Sequence, residues 1–441
     1  MLHVYGNRPE TVIYAAPDGR RVSNHVLLGT WLDVVNDNAD WYEVQTAGRG
    51  PGGWVRKSDV SATPAFKAFF VDVGQGDGAI IESPNGRMLI DGGPSKAFHS
   101  FMRSLYWPTI RREGSVHFDA VVISHPDSDH FNGLTTVLKD PQFTFGTIYH
   151  NGISRYYRDT PEGAEFDLGN ITTDASGQSY MTDTFSTLEQ IQDRIATGSL
   201  MAQFKKFWLA ALDAKQQGRL RSARRLTSRD DFVPGFAPQT GETTLVARVL
   251  GPVPTKPAGA YRYVTFPDPH DHPSMKPSSS HTRNGHSVIL RLEFGMHSFL
   301  FGGDLNIPAQ RHLLRHYGDD HLFQVDVAKA CHHGSSDFDI DYIKMVNPQV
   351  NVFSSGDNKS FDHPMADALG AIGKYARGDY PLLFSTEIAR ANSSSRVHYG
   401  LINARSNGTV LAMAQMKEQR RRADIWDSYT VPWPGRFSGN H

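Results

Sequence analysis

The sequence predicts an α/β protein preceded by a small all-β unit, and three observations carry this. Short apolar runs recur through residues 66–415, and several end abruptly in Asp- or His-rich turns. Between them, residues 184–226 place Leu188, Ile191, Ile195, Leu200, Phe204, Phe207, Trp208 and Leu212 at helical spacing, the pattern of one long helix or a helical pair. In front, residues 1–62 alternate apolar and polar positions in short segments divided by turns. A chain of 441 residues has room for two or three domains and a large core.

The N-terminal segments are Thr11–Tyr14, Trp31–Val35, Trp41–Val44 and Gly53–Val55, with turn signals at Pro17-Asp18-Gly19 and Asn36-Asp37-Asn38. Their order resembles a bacterial Src-homology-3-like barrel, in which a Gly-Trp-Val strand closes the sheet. The resemblance implies a module that binds a peptide, a glycan or a neighbouring domain, so residues 1–62 are the candidate contact for a protein partner. Trp31, Trp41 and Trp54 are candidates to fill its small core. Ser61-Ala62-Thr63-Pro64 reads as the linker.

The most informative segment is Ser124-His125-Pro126-Asp127-Ser128-Asp129-His130-Phe131-Asn132-Gly133, which follows the β-branched run Ala120-Val121-Val122-Ile123. Four metal-ligand types leave one strand end together. A turn there aims His125 and Asp127 at one cation and Asp129 and His130 at a second, the demand of a two-metal hydrolytic site. Proline stiffens the loop. Hard carboxylate oxygens at Asp127 favour Mn²⁺ or Mg²⁺ relative to an all-nitrogen set, with Zn²⁺ also compatible. Two divalent ions, Mn²⁺ or Zn²⁺, are therefore the expected cofactors. A bridged hydroxide would be the nucleophile, because two cations lower the pKa of water from about 16 to near 7. No Ser or Cys triad is evident.

These residues resemble the metallo-β-lactamase fold, and more narrowly the hydrolase domain of the competence protein ComEC, whose relatives carry Asp where most of the superfamily has His at the place of Asp127. Further matches follow in order. Phe69-Phe70-Val71-Asp72-Val73-Gly74-Gln75-Gly76-Asp77 is similar to the opening strand and turn, and Leu89-Ile90-Asp91-Gly92-Gly93 to the second strand. The resemblance implies an αββα sandwich in which Asp91 and Asp77 support the ligands. Phe299-Leu300-Phe301-Gly302-Gly303-Asp304 resembles the strand that delivers a bridging Asp, and Ala328-Lys329-Ala330-Cys331-His332-His333-Gly334-Ser335 the segment with a late His ligand. Whether His332 or His333 binds is open. His286, in Arg283-Asn284-Gly285-His286-Ser287-Val288, stands where most of the superfamily has a further ligand and ComEC-like domains have no invariant one. Ser355-Gly356-Asp357-Asn358 and Phe361-Asp362-His363-Pro364 resemble a final loop. Asp129, His363 and Asn358 are the implied catalytic residues, with His363 a donor to the phosphate or leaving oxygen.

Net charge is −1, so the whole molecule does not advertise nucleic acid. Arg219, Arg221, Arg224 and Arg225 nevertheless form a local basic cluster, and Lys417, Arg420, Arg421 and Arg422 a second; each reads either as a track for a phosphate backbone or as a solvated helix face. Residues 252–284, rich in Pro, Ser and His and including His270 and His272, read as a surface loop or lid. The expected domains are 1–62, then 66–415 with an insertion at 146–284, then a tail at 416–441.

The first reading of function is a metal-dependent phosphodiesterase acting on DNA or RNA. Stand-alone ComEC-like hydrolases joined to accessory domains resemble effectors of bacterial anti-phage systems. Hydrolysis of a small phosphodiester, such as a cyclic nucleotide or phosphocholine ester, is the alternative enzyme. An inactive scaffold of the same fold is the alternative from another class. With no apolar run of membrane-spanning length, no signal-peptide pattern and one cysteine, Cys331, the expected location is the cytoplasm, away from membranes.

Overall fold

The computed structural model describes residues 2–432 apart from 48–49, 158–165, 198–199, 242, 270–275, 319, 357–360, 380, 387–400 and 422–423, with backbone alone at 166, 258, 417–421 and 424. His270, His272 and Asn358, and the side chains of the second basic cluster, lie outside the described residues.

Period-two side-chain alternation builds the layers. In the strand Phe66–Phe70, Phe66, Ala68 and Phe70 enter one buried cluster while Phe69 enters another. In Val116–Val122 the same split sends Ala120 and Val122 one way and Val121 the other. Successive strand residues point to opposite faces, so such strands must be covered on both sides. One face meets helices and the other meets a second sheet.

The first sheet has nine strands, in the order Leu220–Arg225, Phe143–His150, Val116–Val122, Gly86–Asp91, Gly78–Ser83, Phe66–Phe70, Ile402–Ser406, Leu411–Arg421 and Asp424–Val431. The second has six, running Val246–Gly251, Ile289–Phe294, His297–Phe301, Val327–Lys329, Val350–Phe353 and Leu382–Ser385. Phe66 of the first sheet packs on Phe299 of the second at 4.5 Å between ring centroids, and Phe70 stacks on Phe301 at 5.5 Å. The helix Ala97–Glu113 buries Phe98, Met102, Tyr106 and Ile110, one residue per turn, against the outer face of the first sheet. The helices Ile307–Tyr317 and Ile340–Val346 cover the second sheet from outside through Leu313, Tyr342 and Val346. The fold is mixed α/β in four layers, as the sequence predicted.

Residues 3–61 form a separate seven-stranded antiparallel sheet, in which Gly53–Arg56 lies between Trp41–Gln45 and Glu10–Tyr14. Its core is aliphatic: Val4, Ile13, Val26, Leu32, Val34, Val44 and Val55. Trp41 is buried at its margin, but Trp31 instead stacks on His3 and lies under the Arg112 guanidinium. Arg405 ties this unit to the nine-stranded sheet by donating to Leu28 O at 2.7 Å.

Three expectations change. The expected tail from 416 begins inside the Leu411–Arg421 strand, which pairs with Asp424–Val431 to extend the large sheet. The insertion at 146–284 does hold a helical pair, Leu188–Thr197 and Ala202–Gln216, but it also supplies Leu220–Arg225 and Val246–Gly251 to the two core sheets. The Pro-rich stretch is not all surface loop. Phe266 is buried, and the helix Ser279–Gly285 buries Thr282 and Arg283, because hydrogen bonds between Phe266 and Thr282 satisfy its backbone.

Candidate metal centre

The strands Gly86–Asp91, Val116–Val122, His297–Phe301, Val327–Lys329 and Val350–Phe353 release their C-terminal loops at one edge of the sandwich. Asp91 ends the first. Ser124 to His130 follow the second, Asp304 the third, His333 the fourth and His363 the fifth. Gly303 makes the tight approach possible: its φ is +57°, and a Cβ there would meet Ser287 Oγ at 2.6 Å.

Donor atoms of Asp129, His130, Asp304 and His333 lie within 4.8 Å of one another. His130 Nε2 and His333 Nε2 approach Asp304 Oδ2 at 3.3 and 3.2 Å, and His333 Nε2 stands 3.5 Å from Asp129 Oδ2. Each imidazole is oriented from behind. His130 Nδ1 donates to Asp91 Oδ2 at 2.9 Å, and His333 Nδ1 donates to Ser354 O at 2.9 Å, leaving both Nε2 atoms to face inward. Ser124 locks Asp91, its backbone N–H donating to Oδ1 at 2.8 Å and its hydroxyl to Oδ2 at 2.7 Å.

Charge follows this geometry. Burial disfavours ionised His130 and His333, but Asp304, helped by Asp91 and Asp77 respectively, overcomes it and raises both well above the usual imidazole range. Burial likewise opposes ionisation of Asp304, and His333 and His130 reverse that, holding it well below the usual carboxylate range. His125 behaves differently: burial and the neighbouring His130 push it down to about 4.

The residues fit a divalent cation on a direct test. Among the described residues, His125 Nε2, His130 Nε2, His333 Nε2 and Asp304 Oδ1 are buried without a hydrogen-bond partner. Unpaired polar atoms are costly inside a protein, and a cation would satisfy these four together.

His125 and Asp127 stand beside this group. The His125 and His130 rings are 4.1 Å apart, and His125 Nε2 is 4.0 Å from Asp127 Oδ2. Asp127, the ligand the spacing predicted beside His125, is also held by protein cations. Arg155 Nη1 and Arg283 Nε each donate to its Oδ1 at 3.0 Å, so two guanidinium groups already neutralise it and only Oδ2 is turned toward His125. Burial raises its pKa, but Arg283, His125 and Arg155 bring it well below the usual carboxylate range.

Residues 71–187 match the model of the metallo-beta-lactamase superfamily. Residues 71–187 are thus a metallo-β-lactamase superfamily segment, in a chain with the metallo-β-lactamase fold. A comparison with curated proteins finds no match. Among solved structures, the chain is similar to the metallo-beta-lactamase fold protein YhfI from Bacillus subtilis at 12% identity, covering 73% of this chain and 97% of that one with a TM-score of 0.34. It is also similar to a new diphosphatase from the PhnP family (11% identity, 72% and 94% covered, TM-score 0.30). A third is MEM-A1, a subclass B3 metallo-beta-lactamase isolated from a soil metagenome library (12% identity, 73% and 78% covered, TM-score 0.24).

Of the late His pair, His333 is the one in the donor cluster. It is buried in the cluster, whereas His332 is partly exposed with Nε2 3.9 Å from Asp304 Oδ2. Both have left-handed backbone, φ 48° and 56°, so a short helical turn rather than strand alternation separates their directions. His286 is not at the centre. It caps the helix Ser279–Gly285, stacks between Tyr263 and Phe266 at 4.6 and 4.8 Å, and spends Nε2 on Val264 O at 2.7 Å. Asp77 lies behind His333, with Oδ1 3.2 Å from its Nδ1 and Oδ2 paired with Lys329.

His363 sits near the cluster and outside it. Its ring lies 6.0 Å from that of His333 and 5.8 Å from that of His332. Gln75 Nε2 donates to its Nδ1 at 3.1 Å, a contact 288 residues apart in sequence, which leaves Nε2–H as the donor edge. Burial, with His333 and His332 nearby, pushes its pKa down to about 4.

The basic cluster is a strand, not a helix face. Leu220–Arg225 forms the edge of the nine-stranded sheet, and Arg219 just before it donates to Leu138 O and Asp140 O, so it is structural. Sequence reasoning missed the contacts of Ser124, Gln75, Arg283 and Lys329, although each lay inside a motif already singled out. Arg155 carried no local signal at all.

Proposed function

We propose that the chain is a metal-dependent phosphodiesterase acting on nucleic acid, with the ComEC-like hydrolase domain as its nearest pattern. The observation that carries this reading is a carboxylate-rich donor set flanked by fixed cations. Asp129, Asp304, His130 and His333 converge on one point, with Lys329 Nζ 3.7 Å from Asp304 Oδ1 and the arginine pair on Asp127 at the margin. Divalent ions held there would neutralise a phosphodiester's negative charge, since Lys329, Arg155 and Arg283 are already paired with Asp77 and Asp127.

Asp129, His130, Asp304 and His333 would hold one divalent ion, and His125 with Asp127 Oδ2 would hold the second beside it. Bound ions supply Lewis acidity and bring water to ionisation near neutral pH. The protein supplies the rest. Asp91 and Ser354 hold the imidazoles in the ligating tautomer, and Asp77 keeps the Lys329 charge close to Asp304. His363, neutral at pH 7 and fixed by Gln75, offers its Nε2–H to the departing oxygen. Residues 1–62 serve as a docking module of the SH3-like kind.

The test is hydrolysis by the metal-reconstituted protein of single- and double-stranded DNA, RNA, an aryl phosphodiester and a lactam, side by side. Metal-dependent scission of phosphodiesters is the expected result. Lactam turnover without phosphodiester turnover would overturn the reading, and selective cleavage of a cyclic nucleotide would replace a strand by a small diester.

A further inference from the structure

A second cationic site lies on the same sheet edge, away from the Asp–His cluster. A cavity of about 320 Å³ is lined by Arg224, Arg225, Arg229 and Arg262, with Asp230 the one carboxylate among the residues that line it. Arg224 Nη2 pairs with Asp230 Oδ1 at 2.5 Å, so one of the four positive charges is offset and three remain in excess. The cavity's volume lies in the range of small-ligand sites, which begins at about 300 Å³.

Its walls are built, not incidental. Arg225 Nη1 is fixed by Thr184 Oγ1 at 2.6 Å. Gly152 gives the Arg225 stem its room: at φ +85°, a Cβ there would meet Arg225 Cδ at 2.4 Å. Arg229 lies over the ring of Tyr261 at 3.7 Å, and Tyr261 remains 45% exposed. Stacked guanidinium and phenol planes are surfaces on which unpaired bases stack.

The register gives the spacing of the strands that lead to the two sites. Val122, Tyr149 and Arg224 form one row across three parallel strands. Neighbouring strands lie about 4.8 Å apart, so Arg224 stands about 10 Å along the edge from Val122, whose strand continues into the His125–His130 loop. That is about three nucleotide rises of about 3.4 Å each. A strand with one phosphate at the metal centre reaches the pocket with a nearby one.

Resting on the phosphodiesterase reading, we propose that the Arg224–Arg225–Arg229–Arg262 pocket binds a second phosphate of a single-stranded nucleic acid whose scissile phosphate lies at the Asp–His cluster. The pocket thereby selects a polymeric substrate over a diester with a single phosphate. Arg229 and Arg262 carry no structural hydrogen bond from their guanidinium groups among the described contacts and are the positions to change.

The experiment uses the full chain, stripped of metal by EDTA, and a labelled single-stranded oligonucleotide titrated across a salt series. The Arg229→Gln/Arg262→Gln variant is expected to bind about tenfold more weakly. Its slope of log affinity against log salt should be shallower by about 1.4, two phosphate contacts at about 0.7 each. With metal restored, the variant's KM for the oligonucleotide should rise while kcat holds. Unchanged affinity and slope in the variant, with a wild type that cleaves phosphodiesters, overturns the pocket and leaves the proposed function standing. Arginine-dependent binding by a protein that cleaves no phosphodiester does the reverse.

Discussion

Asp91 and His130, 39 residues apart in sequence, meet at 2.9 Å between Oδ2 and Nδ1, and this contact turns His130 Nε2 toward Asp304. Asp91 adopts a left-handed backbone, φ 56°, at the end of its strand. A non-glycine residue there is strained, and the side-chain contacts to Ser124 and His130 hold it. The pair is a carboxylate–histidine relay behind a ligand, and its loss should be felt at the metal. Asp91→Asn is expected to weaken divalent-metal affinity or activity by about 10–100-fold, read by metal titration of the purified protein. Affinity equal to wild type would remove the relay from the site.

Metal should stabilise the fold through the four convergent donors. At a free-ion concentration of about 100 times the dissociation constant, binding adds about 2.7 kcal/mol, visible as a rise in Tm on adding Mn²⁺ or Zn²⁺ to the stripped protein. Asp129→Ala should lose one ion per chain by elemental analysis, most of that rise and nearly all hydrolysis. An unchanged ion count would contradict the assignment of Asp129.

His363 is expected to act on the departing oxygen without holding metal. His363→Ala should keep the metal content and slow cleavage by about 10²–10⁴-fold, and the deficit should shrink on an aryl diester whose leaving oxygen carries less charge and gains less from the Nε2–H hydrogen bond. Gln75→Leu should give a smaller deficit of the same kind, since Gln75 only sets the tautomer. Metal loss in the His363 variant would make it a ligand.

Two buried histidines away from the cluster set an acid limit. His286 is pushed down to about 3 by burial, and His150 down to about 3 by burial and by Arg225. The folded state keeps both neutral, while the unfolded chain protonates them near 6.5. Stability is therefore intact above pH 6.5 and declines as pH falls toward 3, by about 1.4 kcal/mol per pH unit for each group. Urea unfolding of metal-free protein across that window should show His286→Phe with the shallower dependence. Identical slopes would mean His286 is not held neutral.

The two sheets are locked by Phe66 and Phe299, both fully buried and packed ring on ring. Phe299→Ala should cost about 3–5 kcal/mol of unfolding free energy by denaturant titration, with the metal donors left in place. A loss below about 1 kcal/mol would show that the site relaxes to fill the gap.

The primary sequence determined what depends on local spacing. The strand Val116–Val122 and the loop carrying His125, Asp129 and His130 are contiguous, so their apolar run and ligand order are legible by eye. The helical stripe from Leu188 to Leu212, read as one long helix or a pair, is a pair, because burial of one face is what its period encodes. Tertiary structure decided what depends on long-range approach. Asp127 reads as a ligand alone until Arg155 and Arg283, the latter 156 residues away, close on its Oδ1. His286 is open between ligand and bystander until the turn after Ser279–Gly285 carries it into the stack between Tyr263 and Phe266. Arg219–Arg225 reads as a phosphate track or a solvated helix face until pairing with Phe143–His150 makes it a sheet edge. His332 and His333 are equivalent by type, and only their left-handed turn sends one inward. Spacing fixes which side chains share a loop or a face. Which charges neutralise one another is decided by packing between segments far apart in sequence, where a Coulomb partner outweighs local propensity and leaves no local mark.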